Sequence, residues 1–273
     1  MRVWTSVLLI TALVVAPVVV QPQARGTTKT TVDAVYEISI AGWGIARANM
    51  QMKMTGDAAR GAYDAELFMQ PKGVAKIVTA VRTSVSAAGE TNRGKVLPTN
   101  YRVRAEEIRQ PVAVDMKMSQ GSVTSLRAVP PLKSLPGRVP VTNAHRRNIV
   151  DPLSSGLLPI KSADASDACR NTLEIFDGWT RYNVKLYFKR TENVATSGYN
   201  GPVTVCGARW VPVSGHRPAK KEVQYLEQNR ALEMSVVPLP EAGVAIPYRV
   251  SIGTPNGEIL IEPSQMRISS AGV

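Results

Sequence analysis

The chain has 273 residues, of which 44% are hydrophobic and 20% are charged, a balance that excludes wholesale disorder and allows a substantial core. The net charge is +12, from 33 basic and 21 acidic residues. The basic residues are scattered, without a run of five and without an aromatic-interleaved basic motif. We therefore expect no nucleic-acid partner.

The N-terminal residues resemble a secretory signal. Arg2 precedes an apolar run that ends at Val20, and no later segment is apolar enough to span a bilayer. We expect a signal peptide over residues 1–24, a polar linker over 25–32 and a single β-rich periplasmic domain over 33–265. An uncleaved membrane anchor is the alternative, because the run approaches the ~17-residue lower limit of a membrane span.

The first strands carry the most suggestive side chains. Residues 36–40 alternate between apolar and polar, residues 42–44 break the run around Trp43, and a second strand then places Met50, Met52 and Met54 on one face. Methionine side chains adapt to irregular apolar partners, so this row could bind a lipid. The competing interpretation is the inward face of an ordinary β core. We take Trp43, Met50 and Met52 as candidate ligand-binding residues.

Many more short segments have strand-like patterns bounded by turn residues. These segments are 63–69, 82–88, 101–104, 112–118, 123–126, 182–188, 203–213, 221–226, 231–237, 244–253 and 258–262. Short helices are predicted at 74–81 and just after Asp151-Pro152, while four prolines make 128–142 an extended loop. The pattern predicts a mainly β protein: a single curled antiparallel sheet, half-barrel or spiral-like, with a few short helices.

The two cysteines, Cys169 and Cys206, suit one structural disulfide in an oxidising compartment, which could join two strands. Two free core thiols are the alternative. Neither cysteine belongs to a Cys-x-x-Cys pair, and the two histidines, His145 and His216, are far apart in sequence. We therefore expect no metal and no cofactor.

Several motifs match a known family as an ordered set. They are Asp151-Pro152-Leu153-Ser154, Ile175-Phe176-Asp177-Gly178, Arg181-Tyr182, Tyr199-Asn200-Gly201-Pro202, Pro212–Pro218, Ile246–Val250 and Thr254–Gly257. In these the chain resembles the DUF3108 family of exported proteins of Gram-negative bacteria. The resemblance implies a periplasmic, curled antiparallel sheet and no established catalytic residue. In size, inferred export and cysteine count the chain is also similar to alphaproteobacterial envelope-integrity proteins that have a β-spiral and one disulfide.

A hydrolase with a serine nucleophile would need an assembled triad. Ser154, either histidine, and Asp151 or Asp177 supply the residue types, but there is no Gly-x-Ser-x-Gly motif. Ser154 also lies at a predicted helix start, where serine is commonly structural. The most interesting polar pair is His216 with Arg217, which could bind an anionic group through the guanidinium. A turn whose arginine pairs with a neighbouring carboxylate is the competing interpretation.

Two functional classes therefore follow from the sequence. The first is a noncatalytic periplasmic protein of cell-envelope maintenance that binds an apolar or cell-wall ligand, with a lipid, a glycan or an envelope protein as partner. The second is a hydrolase of an envelope polymer or lipid. An apolar cavity without convergent titratable groups would favour the first class, whereas a cleft that holds His216, Arg217 and a carboxylate would favour the second. The sequence leaves the oligomeric state open.

Overall fold

The computed structural model describes residues 27–73, 81–106, 111–133, 136–161 and 163–272. Within these ranges fourteen strands form one antiparallel sheet, as the sequence predicted. The strands are β1 (Thr28–Ile40), β2 (Trp43–Gly56), β3 (Arg60–Pro71), β4 (Arg82–Asn92), β5 (Lys95–Glu106), β6 (Val112–Ser119), β7 (Ser122–Val129), β8 (Leu158–Pro159), β9 (Thr172–Phe176), β10 (Arg181–Thr196), β11 (Tyr199–Ser214), β12 (Leu232–Leu239), β13 (Val244–Thr254) and β14 (Gly257–Gly272).

The first and last strands pair with each other near the middle of the sheet. The order is β7-β6-β5-β4-β3-β2-β1-β14-β13-β12-β11-β10-β9, with β8 beside β13. Thr28 lies opposite Gly272, and Ile40 lies opposite Ile259. The sheet is thus longer than the predicted 33–265 domain at both ends, because β1 begins inside the predicted linker and β14 runs to Gly272.

Alternation along β1 to β3 creates the inner face of the sheet. Val32, Ala34 and Tyr36 of β1 are buried, as are Met52 and Met54 of β2. Their intervening neighbours are mostly polar and more exposed, which is the period-two pattern of a strand with one face in the core. We call the face that carries these buried residues the inner face.

Residues 148–160, here called the crossing segment, fill the space inside the curled sheet. This segment contributes Leu157 to the core beneath β1–β3, Ile149 to the core beneath β4–β6, and Leu158 to the core beneath β10–β13. A single segment therefore connects the three apolar clusters of the described chain.

The crossing segment also joins the two ends of the open sheet. The Ile149 amide donates to the Gly121 carbonyl in the β6–β7 turn, at 3.0 Å. The Val150 amide donates to the Glu174 carbonyl of β9 at 2.8 Å, and the Phe176 amide donates back to Val150 at 3.0 Å. Backbone hydrogen bonds from two adjacent residues thus connect the sheet edges without a continuous strand.

The disulfide between Cys169 and Cys206 is present, with a Cα–Cα distance of 5.2 Å. Its partners differ from the expectation that it joins two strands. Cys206 lies in β11, but Cys169 lies in a short 3-10 turn, Ser166–Arg170. The bond therefore holds a covering turn on the sheet, and both cysteines are fully buried in the cluster that contains Leu158.

Two helix assignments also differ from the sequence analysis. Residues 221–226, expected as a strand, belong to the α-helix α1 (Lys221–Gln228). The helix expected after Pro152 is a single 3-10 turn, Ser154–Gly156. Most of the helix predicted at 74–81 lies outside the described residues, which end at 73 and resume at 81. Among the described helices none has the length and apolar character needed to cross a membrane.

Candidate functional site

The inner face and the crossing segment enclose an apolar cavity of about 270 Å³. Side chains of β1, β2, β3, β13 and β14 form one wall, and the 3-10 turn of the crossing segment forms the other. Its lining residues are Tyr36, Ile38, Ala48, Met50, Met52, Ala65, Leu67, Met69, Pro152, Leu153, Gly156, Leu157, Ile246, Pro247, Tyr248, Val250 and Ile261. Among the described residues that line it there is no carboxylate, histidine, lysine or arginine.

The methionine row divides between the cavity and the core. Met50 and Met52 line the cavity, whereas Met54 is buried in the core cluster and does not. The row therefore lies on the inward face of the sheet, and ligand binding by Met50 and Met52 stays a prediction. Met69, from β3, adds a third thioether to the cavity wall. Unbranched side chains of this kind can change rotamer to fit apolar partners of different shape.

The buried hydroxyl of the cavity wall, that of Tyr36, is already engaged. The Tyr36 hydroxyl donates to the Pro247 carbonyl at 2.7 Å, and burial raises the pKa of this phenol well above its usual range. Tyr248 packs its ring 6.1 Å from that of Tyr199. Because the wall offers no free charge and its buried hydroxyl is paired, the cavity suits a ligand portion that carries no polar group.

Trp43, the third candidate residue of the first strands, does not line the cavity. It is 71% exposed and lies directly opposite Ile40 in the β1–β2 pair. Directly opposed residues share a face of the sheet, and Ile40 shares its face with Ile38, which lines the cavity. The structure therefore places Trp43, Met50 and Met52 along one face of one strand pair.

The other two predicted site residues lie elsewhere. His216 and Arg217 follow β11, and backbone hydrogen bonds with Val139 hold this turn against the 138–139 segment. Neither side chain lines the apolar cavity. Within the described ranges, no ion pair involves Arg217. Among these residues the structure thus gives no ion pair between Arg217 and a carboxylate of the kind that would favour a hydrolase, and ligand binding by His216 and Arg217 stays a prediction.

The residues considered for a hydrolytic triad are also separated. Ser154 is 1% exposed and accepts a hydrogen bond from the Tyr63 hydroxyl at 2.7 Å. His145 lies on another turn, where its Nδ1 accepts from the Thr142 amide at 3.1 Å. The Ser154 hydroxyl thus accepts from a phenol and is hydrogen-bonded to the Asp151 side chain, and among the described residues no histidine bonds to it as it would in a Ser-His-Asp triad.

Asp151 is the carboxyl group of the crossing segment, and its pKa is shifted from the ordinary value. Its Oδ1 accepts the Leu153 amide at 3.0 Å and the Ser154 amide at 2.8 Å, while its Oδ2 is buried without a hydrogen-bond partner among the described residues. Burial raises the pKa of Asp151 to about 6, against the lowering effect of these hydrogen bonds. This carboxyl group caps a turn inside the sheet and does not line the apolar cavity.

A larger cleft, here called the polar cleft, was missed by the sequence analysis. It lies on the other side of the 3-10 turn of the crossing segment from the apolar cavity. Its volume is about 620 Å³, and the β4–β5 and β6–β7 turns together with the start of the crossing segment surround it. The residues that distinguish it are Arg93, Lys95, Gln120 and Asn148. They come from three separate turns, so no local motif connects them. No group of three or more potential metal ligands occurs in the part of the chain that the structure describes.

These features define a class of protein: an open, curled antiparallel sheet with an apolar cavity beneath its central strands. A sequence model described as "Protein of unknown function (DUF3108)" matches residues 35–262, so the chain belongs to that family. No curated protein sequence matches the chain significantly. A solved structure that it resembles is described as the crystal structure of a β-barrel-like protein of domain of unknown function DUF1849 from Brucella abortus. The identity is 9% and the TM-score 0.46, over 90% of this chain and 99% of that chain.

Proposed function

We propose that this protein is a noncatalytic, exported binding protein of the cell envelope, and that it holds an acyl chain in the apolar cavity. The observation that carries the proposal is the cavity itself, a space of about 270 Å³ walled by apolar side chains. Pockets for complete drug-sized ligands measure roughly 300–1,000 Å³. The cavity is therefore matched to one chain, or the end of one, and not to a whole lipid.

The chemistry of the wall favours a lipid over the glycan and protein partners that the sequence left open. A glycan needs hydrogen-bond donors and acceptors, yet the Tyr36 hydroxyl is already bonded to Pro247. Met50 and Met52 offer adaptable apolar contacts instead. Trp43, exposed beyond the cavity on the same face, offers an amphipathic ring of the kind found at lipid–water boundaries.

The cellular location belongs to the proposal. Arg2 and the apolar run that ends at Val20 predict export, and they lie outside the described residues. The disulfide supports the same location, because such bonds persist in oxidising compartments such as the periplasm. An exported protein that shelters an acyl chain would serve in the maintenance or assembly of the envelope.

The hydrolase alternative lacks a supporting arrangement among the described residues. Ser154 is buried against Tyr63, and His216 is separate from the cavity. The described cavity wall also has no acid or base that could activate water. The cavity accordingly favours binding without turnover.

Mass spectrometry of the protein purified from periplasm tests the proposal. We expect an acyl-containing molecule to co-purify with the folded protein and to be released on denaturation. In parallel, the protein is incubated with envelope phospholipid and with peptidoglycan. Turnover of either substrate that is abolished in His216→Ala would overturn the noncatalytic assignment, and a protein that carries only glycan would overturn the choice of ligand.

A further inference from the structure

The polar cleft has the size of a ligand site. Its volume of about 620 Å³ lies within the ~300–1,000 Å³ range of small-molecule pockets. The 3-10 turn of the crossing segment separates it from the apolar cavity. Ser154 and Ser155 line the cleft, Leu153 and Gly156 line the cavity, and Leu157 borders both. The cleft and the cavity are therefore two separate spaces on either side of one turn, with Leu157 in the wall of both.

The side chains around the cleft offer positive charge and hydrogen bonds. Arg93 and Lys95 are exposed, and neither forms an ion pair among the residues described. The one carboxylate of the lining, Glu174, is engaged by Arg181 at 3.1 Å. Side-chain amides and hydroxyls complete the polar lining: Asn92, Gln120, Asn148, Ser154, Ser155, Asn171 and Thr172. The rest of the lining is apolar: Val96, Leu97, Ile149, Val150, Leu157, Pro159 and Leu173.

The backbone conformation of Arg93 and Gln120 indicates that arginine and glutamine are not the most stable residues for their turns. Five described residues other than glycine have a positive φ, and three of them line this cleft: Arg93 (47°), Gln120 (48°) and Asn148 (52°). Arg93 and Gln120 each open a two-residue hairpin turn completed by glycine. Asn is the preferred residue at that position, because longer side chains are strained at positive φ. Arginine and glutamine instead extend longer polar groups over the cleft.

We propose that this cleft is a second binding site, for a small anionic molecule rich in hydroxyl groups such as a phosphorylated sugar. Arg93 and Lys95 neutralise the anion, since a guanidinium pairs with phosphate through two parallel hydrogen bonds. The amides of Gln120 and Asn148 donate to and accept from the hydroxyls. The site goes beyond acyl-chain binding and does not depend on it.

Isothermal titration tests the site with three probes: glucose phosphorylated on its sixth carbon, unmodified glucose and inorganic phosphate. We expect the phosphorylated sugar to bind more tightly than either of the other two by about tenfold or more. If inorganic phosphate binds equally well, the hydroxyl contacts are absent and the proposal fails. It also fails if none of the probes binds at millimolar concentration.

Variants separate ligand binding from turn stability. Arg93→Asn removes the cation but places the preferred residue in the turn, so the phosphorylated sugar should bind about tenfold or more weakly while the urea midpoint rises. Ala41→Asn is the matched control, because Ala41 (φ 48°) opens the β1–β2 turn at the other end of the sheet. It should raise the midpoint without changing affinity. Lys95→Gln gives an independent loss of charge, and unchanged affinity in both Arg93→Asn and Lys95→Gln would overturn the proposal.

Discussion

Replacing Asp151 by asparagine should stabilise the protein in a pH-dependent way. Asp151 is fully buried, and its Oδ2 has no hydrogen-bond partner among the described residues. Asparagine keeps the Oδ1 acceptor that holds the Leu153 and Ser154 amides, so the turn of the crossing segment remains capped. The substitution removes the negative charge that is buried inside the sheet at neutral pH and replaces the unpartnered Oδ2 by an uncharged amide nitrogen.

The magnitude follows from the pKa of Asp151, which burial raises from 3.8 to about 6. At about 1.4 kcal/mol per pKa unit, this corresponds to about 3 kcal/mol of unfolding free energy. Because the pKa of Asp151 is higher in the folded than in the unfolded protein, protonation of Asp151 stabilises the wild-type fold. This contribution is fully present below pH 3.8 and is lost as the pH rises through about 6. Asp151→Asn should match the wild type near pH 4 and exceed its stability by up to about 3 kcal/mol above pH 7.

Urea denaturation followed by tryptophan fluorescence measures the effect at both pH values. Carboxylates such as Asp115, whose pKa is lowered by Arg104, act in the opposite direction, but they are present in both proteins and cancel in the comparison. Asp57→Asn is a control for the exchange of a capping carboxylate, since Asp57 accepts the Ala59 and Arg60 amides in an exposed turn. An Asp151→Asn variant that is destabilised equally at both pH values would refute the reasoning.

Three further predictions concern the disulfide, a close packing contact and export. Cys169→Ser should lower the unfolding free energy by about 2–5 kcal/mol in non-reducing urea titrations, and a loss below about 1 kcal/mol would contradict the structural role of the bond. Gly207→Ala should cost about 1–3 kcal/mol, because its Cβ would lie 2.2 Å from the Tyr187 ring. Tyr187→Ala should relieve that cost in the double variant, and no relief would refute this cause. Residues 1–30 fused to a reporter active only outside the cytoplasm should give activity, and an inactive fusion would remove the case for export.

The strands were predictable because one face of each is buried. In β2 the polar residues between Met50, Met52 and Met54 face outward, and this alternation is a purely local signal. The pairing of β1 with β14 has no local signal: the bonded pair Thr30 and Ser270 is separated by 240 positions. Such pairing depends on how the inner face closes over the crossing segment, which periodicity does not describe.

The error at 221–226 has a similarly local cause. Val223 and Leu226 are three residues apart, a spacing that fits one side of a helix, but the short segment also allowed a strand interpretation. The structure resolves the ambiguity in favour of α1. Short apolar segments of this kind are decided by what they pack against and not by their own pattern.

The candidate sites show where sequence reasoning stops. The methionine row marks the inward face of the sheet, but only the position of the crossing segment leaves a cavity beside Met50 and Met52 and none beside Met54. The polar cleft had a usable signal in the Arg93-Gly94 and Gln120-Gly121 turns, where the first residue is not the asparagine that such turns prefer. Only the fold reveals that both turns face one cleft.

Titration of dodecanoate into the purified, delipidated protein tests acyl-chain binding most directly. Ala65→Met narrows the cavity that Ala65 lines, whereas Ala62→Met places the same side chain on the exposed face of the same strand. We predict one bound chain per protein in the wild type and in Ala62→Met, and binding weakened by about tenfold or more in Ala65→Met. Equal affinity in all three proteins, or no binding to the wild type, would contradict the account.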